Sequence, residues 1–123
     1  MYRKIILLLA AFNVNAHEMV PTYPKFERAH LEGIYKTQVT LFNKRKDVEF
    51  YELGVFDSDF GVVDFVTAYR IFPVRYLGYV NLDIYVKESD RKKVTYICTR
   101  SKLRSDSNQG AIVASRICSK VKP

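Results

Sequence analysis

Long apolar runs are scarce in this chain of 123 residues. The longest, Ile5 to Phe12, falls well short of the ~20 residues that a membrane-spanning helix needs. Histidine is almost absent, with only His17 and His30, both ahead of the strand-patterned part of the chain. Together with the lack of a G-x-S-x-G motif, this leaves nucleophilic catalysis of the Ser-His-Asp kind without a constellation, and no catalytic residue is assigned. Walker and dinucleotide fingerprints are missing as well, so nucleotide chemistry has no support. Two cysteines, Cys98 and Cys118, lack the close C-x-x-C spacing that redox chemistry uses. Internal repeats, low-complexity tracts and Pro/Gly-rich linkers are also lacking, and the chain reads as one unit.

The N-terminus has the three parts of a secretory signal. Arg3 and Lys4 supply a basic start, Ile5 to Phe12 an apolar stretch, and Val14 and Ala16 small residues at the −3 and −1 positions of a cleavage site. Residues 1–16 are therefore expected to be removed, giving an exported, periplasmic or secreted product of 107 residues with room for one domain. The formal charge of +7 falls to +5 once Arg3 and Lys4 are gone. Two short basic runs, "NKRKD" (43–47) and "SDRKK" (89–93), read as solvated turns. Nucleic acid is not expected, because the nine Tyr and eight Phe alternate with polar residues as strand cores do instead of lining one basic face. Attraction to an acidic surface is compatible with the charge but unspecific.

After residue 33 the dominant period is two. "VNLDIYVK" puts Val80, Leu82, Ile84 and Val86 on one face, and "YKTQVTLF" puts Tyr35, Val39 and Leu41 opposite Lys36, Gln38 and Thr40. "VEFYELGVF" begins in one phase with Val48 and Phe50 and continues in the other with Tyr51, Leu53 and Val55, which predicts a bulge near Gly54. Further strands are expected at 62–72, 93–103 and 111–121, and a helical turn within 25–33 that Gly33 ends. The pattern predicts an all-β fold: an N-terminal segment, 17–33, then one antiparallel immunoglobulin-like sandwich over 34–123. The turn "SDSNQG" centres a final hairpin near residue 108 and sets Cys98 opposite Cys118, so a disulfide between those two strands is expected.

The pieces "TQVTLFNK", "VEFYELGVFDSDF", "DIYVKE" and the closing "YICTRSK…SRICSK" resemble the N-terminal immunoglobulin-like domain of periplasmic pilus chaperones, over roughly residues 34–121. "HEMVPTYP" and "YICTRSK" also look like short exported proteins of bacteriophages from marine bacteria, a likeness that implies no activity. The chaperone resemblance implies a sandwich that engages a protein partner along a sheet edge. It places that edge in the last strand, at Ile112, Val113 and Ile117. The family's carboxylate-binding basic pair is not carried over, since Arg28 and Lys120 stand in no matching motif. Its members have two domains where this chain has room for one.

Two stretches of the sequence bear on metal binding. A mature chain beginning at His17 would offer an amine and an imidazole from one residue, and His30 would complete a copper brace of the kind seen in copper-resistance sandwiches. Copper is thus the alternative to a fold with no cofactor. Asp57, Asp59 and Asp64 with Gly61 hint at a calcium loop, but the twelfth position, where a bidentate Glu is required, holds Ala68. A turn with solvated carboxylates fits better.

Overall fold

The computed structural model describes residues 17–102 and 114–123. The chain forms β1 (Glu18–Val20), β2 (Glu27–Arg28), β3 (Ile34–Phe42), β4 (Phe50–Phe56), β5 (Ile71–Pro73), β6 (Tyr79–Lys87), the one-turn helix α1 (Glu88–Arg91), β7 (Tyr96–Lys102) and β8 (Arg116–Lys120). Two antiparallel sheets result. In the first, β3 pairs with β6 along its whole length and with β1 and then β2 on its other side. The second runs in the order β5-β4-β7-β8.

Alternation explains which faces meet. Val39 and Leu41 on β3 and Leu82, Ile84 and Val86 on β6 are buried, and face Tyr51, Leu53 and Val55 on β4 and Ile97 on β7 across the interior. Each such side chain contributes about 1.5–3 kcal/mol through burial. These two layers make an immunoglobulin-like β-sandwich.

Several local expectations are corrected. β4 keeps an unbroken register with β7 from Phe50↔Lys102 to Phe56↔Tyr96, so there is no bulge. Val48 belongs to the preceding turn, where it is buried, and Phe50 points to the outer face. Gly54 serves another purpose: a Cβ there would lie 2.7 Å from the Phe56 ring, which folds over it. Residues 25–33 hold no helix. Phe26 enters the core, Glu27 and Arg28 pair with Lys36 and Tyr35, and Gly33 turns the chain at φ 77°. β1 and β2, from the N-terminal segment 17–33, pair with β3 along its second side.

Residues 62–72 make only the isolated bridges Phe56↔Val62 and Val66↔Tyr85 before β5 starts at Ile71. This stretch crosses from the sheet of β4 to that of β6, burying Val63 and Phe65 on the way. "ESDR", expected as a turn, closes into α1, with Asp90 accepting from the Lys93 amide. The expected signal peptide, residues 1–16, lies outside the described residues. Among those described, no helix is long and apolar enough to cross a membrane.

Candidate binding edge

β8 ends the second sheet. Ser101 N donates to Ser115 O (2.9 Å) and Val121 N to Thr95 O (2.9 Å), so odd-numbered residues of this strand direct their amides at β7. Arg116, Cys118 and Lys120 consequently turn their N–H and C=O groups away from the sheet. Among the described residues β8 has no strand on that second side. At its far end the edge is closed, since Lys122 N donates to Pro24 O at 2.9 Å.

A disulfide clamps this edge to the sheet. Cys98 and Cys118 are register partners with Cα atoms 4.1 Å apart, and their sulfurs are bonded. They are a non-hydrogen-bonded pair, the arrangement that brings opposite side chains closest. The bridge lies on the outer face, and Gly54 is the β4 register partner of Cys98. Beside it Phe56, Phe60 and Tyr96 form an aromatic ledge: Phe60 stacks flat on Tyr96 at 4.7 Å. The Arg116 guanidinium sits 4.7 Å from the Phe56 ring centroid and 4.9 Å from that of Phe60. Arg100 and Lys102 flank Glu52 at 2.8 and 3.6 Å.

Beneath the edge lies a buried polar cluster. His17, 2% exposed, packs its ring against Tyr51 (centroids 4.7 Å apart). Its Nε2 lies 2.7 Å from Thr99 Oγ1 and 3.2 Å from the Thr99 carbonyl, and its Nδ1 3.0 Å from Ser115 Oγ. Thr99 directs its hydroxyl hydrogen to Met19 Sδ, so the His17 Nε2–H is the donor of that pair and Nδ1 accepts from Ser115. Burial pushes the imidazole pKa from 6.5 down to about 4; the Thr99 carbonyl opposes this and the Arg45 charge adds to it. Burial likewise raises the Tyr51 phenol to about 12.

Next to this cluster Asn43 uses its whole side chain. Nδ2 donates to Val48 O and Val74 O, both at 2.8 Å, and Oδ1 accepts from Arg45 N (2.9 Å) and Tyr51 Oη (2.5 Å). Arg45 grips Asp47 through two nitrogens at 2.6 and 2.9 Å, holding that carboxyl below its usual pKa range. "NKRKD" is therefore not simply a solvated turn, because Asn43 is fully buried at its start. Thr99 and Ser101 share the inward parity of Ile97 in "YICTRSK", a signal that would have found them. Asn43 gave no such signal, since asparagine is also an ordinary turn residue.

Of the residues expected to form the partner-binding edge, Ile112 and Val113 lie outside the described residues. Ile117 is in β8, but its side chain packs against the core, so the strand offers its backbone and the outer side chains of Arg116 and Lys120. The two histidines are in different surroundings. His17 is in the cluster just described, whereas His30 is exposed on the turn between β2 and β3. Copper at His17 Nδ1 would have to displace Ser115, and the described residues contain no group of three or more His, Cys, Asp or Glu side chains placed for a metal. Asp57 closes its own turn, its Oδ1 accepting from Asp59 N (2.9 Å) and Gly61 N (2.7 Å).

Comparison with solved structures places this architecture. The E. coli chaperone DraB superposes with a TM-score of 0.65 at 15% sequence identity, over 86% of this chain and 53% of that one. The chain resembles a chaperone's immunoglobulin-like domain. It spans about half of DraB's length. A FixG-related protein from Vibrio parahaemolyticus aligns over 88% of this chain and 96% of its own, with 18% identity and a TM-score of 0.46. No family model matches the sequence, and no curated protein matches it.

Proposed function

We propose that this protein is an exported binding or assembly module, acting by recognition and not by catalysis, that engages a protein partner by adding one of the partner's strands to β8. The observation that carries the reading is the backbone of Arg116, Cys118 and Lys120, directed outward from a sheet edge that the Cys98–Cys118 bridge holds in place. Strand addition draws its affinity from main-chain hydrogen bonds, which such an edge supplies. Arg116 and Lys120 discourage indiscriminate pairing and favour a partner strand that carries acidic residues. Likeness to a chaperone supports a partner that is itself a protein. The bridge and the signal-like first 16 residues support export.

The test begins with the tagged protein recovered from its native envelope or virion fraction, where a co-purifying protein is identified. Hydrogen exchange is then measured with and without that protein. The amides of Arg116, Cys118 and Lys120 are expected to gain protection. Protection confined to 43–47 and 89–93, abolished by salt, would replace strand addition with an electrostatic surface.

A further inference from the structure

Apolar surface is unevenly spread. Of the twelve large hydrophobic side chains left exposed among the described residues, eight lie between residues 60 and 79. Within that stretch the turn joining β5 to β6 is fixed from below by Asn43. Leu77 N donates to Asn43 O (2.7 Å), Asn43 N to Gly78 O (3.0 Å), and the Asn43 side chain to Val74 O (2.8 Å). Gly78 N closes the turn on Arg75 O at 2.8 Å.

At the apex stands Leu77, 72% exposed at φ 62°. A bulky side chain in the left-handed region is unfavourable where glycine or asparagine would sit with less strain. Phe60, at φ 60°, recovers packing within the chain through Tyr96 and Arg116. Leu77 remains in solvent, and uncompensated strain of this kind directs attention to a contact outside the chain. Its neighbours include aromatic and basic side chains. Tyr76 and Tyr79 are exposed, Tyr79 meets Phe42 at 5.8 Å, and Lys46 lies 5.3 Å from the Tyr76 ring centroid. Arg75 is exposed beside them. The nearby carboxylates of Glu18 and Asp47 are paired with Lys44 and Arg45, and Glu49 borders the turn.

We propose that this tip docks on the surface of an anionic lipid bilayer. Leu77 enters the interface, Tyr76 and Tyr79 lie at headgroup level with their hydroxyls in water, and Lys46 and Arg75 face lipid phosphates. Beside the turn lies a hollow lined by Glu49, Val74, Arg75 and Tyr76, but it opens widely to solvent and does not enclose a small molecule. An aliphatic residue held outward between tyrosines, with cations behind, matches the order in which a bilayer interface changes from apolar to charged. The tip and the β8 edge use different residues, so the inference stands apart from the strand-addition reading.

Co-sedimentation of the exported chain, as purified from the cell, with vesicles of phosphatidylcholine mixed with phosphatidylglycerol, and with phosphatidylcholine alone, tests this. Binding is expected to the mixed vesicles and to weaken as salt is raised. Leu77→Asn should reduce it about tenfold while the melting temperature holds or rises, because asparagine tolerates the left-handed backbone. Combined Lys46→Glu and Arg75→Glu should abolish the preference for phosphatidylglycerol. No binding of the unaltered chain to either vesicle overturns the proposal and leaves the tip to a protein partner. Undiminished binding by Leu77→Asn overturns it too, since attachment would then lie elsewhere.

Discussion

The buried Asn43 side chain makes four hydrogen bonds, to three different segments of the chain. Replacing it with alanine strands the carbonyls of Val48 and Val74, the amide of Arg45 and the hydroxyl of Tyr51 in a buried site. A loss of about 3–5 kcal/mol follows, read as a lowered urea midpoint with unchanged slope. Asn43→Asp should not rescue it, because a carboxylate cannot donate to the two carbonyls and would itself be a buried charge. A second residue-scale prediction concerns acid. The His17 pKa is 6.5 unfolded and about 4 folded, so between those values the unfolded chain binds a proton that the native chain does not. The stabilisation from neutral His17 is complete above pH 6.5 and is lost as pH falls through about 4, amounting to at most about 3 kcal/mol. Urea unfolding at a series of pH values measures it. In His17→Gln the slope in that window should flatten; an unchanged slope would assign it to other groups.

At the scale of the element, the two directions of the β8 backbone make a sharp comparison possible. Ser119 directs its amide into the ladder with β7, whereas Lys120 directs its own outward. Ser119→Pro should destabilise the fold by about 3 kcal/mol or more, while Lys120→Pro should change stability by about 1 kcal/mol or less yet remove partner binding. Retained binding in a folded Lys120→Pro variant would rule out strand addition at this edge. Elements of this kind were legible where one face is buried over many residues: Val80, Leu82, Ile84 and Val86 announce β6 by period alone. The Cys98–Cys118 register followed from the position of one turn. β1 and β2 were not legible, since three and two residues carry no period. The stretch 62–72 misled for a different reason. Its alternation is real, with Val63 and Phe65 buried and Val62 and Val66 exposed, but it comes from a crossing between sheets and not from a ladder. At the site, the outward edge was legible as a last strand, but the roles of His17 and Asn43 depend on partners at distant positions, Thr99 and Ser115 for one and Val74 for the other.

The whole molecule is two sheets whose pairings join distant parts of the chain, β3 with β6 and β4 with β7. β8 is tied in by a strand of five residues and by the disulfide, which spans 20 positions. Closing a loop of that length stabilises a chain by about 3 kcal/mol in the entropy model, which for a domain of this size corresponds to a melting shift of about 10–20 °C. Replacing Cys98 and Cys118 together with alanine should therefore lower the melting temperature by that order without preventing folding, because the buried faces of β3, β4, β6 and β7 do not depend on the bridge. The loss should also be local. Hydrogen exchange in the double variant is expected to rise first at Ile117 and Ser119, whose amides pair β8 with β7, while Val39, Leu41 and Ile84 keep the protection of the global fold. Uniform acceleration across both sheets would show that the bridge sets the stability of the sandwich as a whole. In that case β8 would be part of one cooperative unit, and an edge held ready for a partner by its disulfide would lose its physical basis.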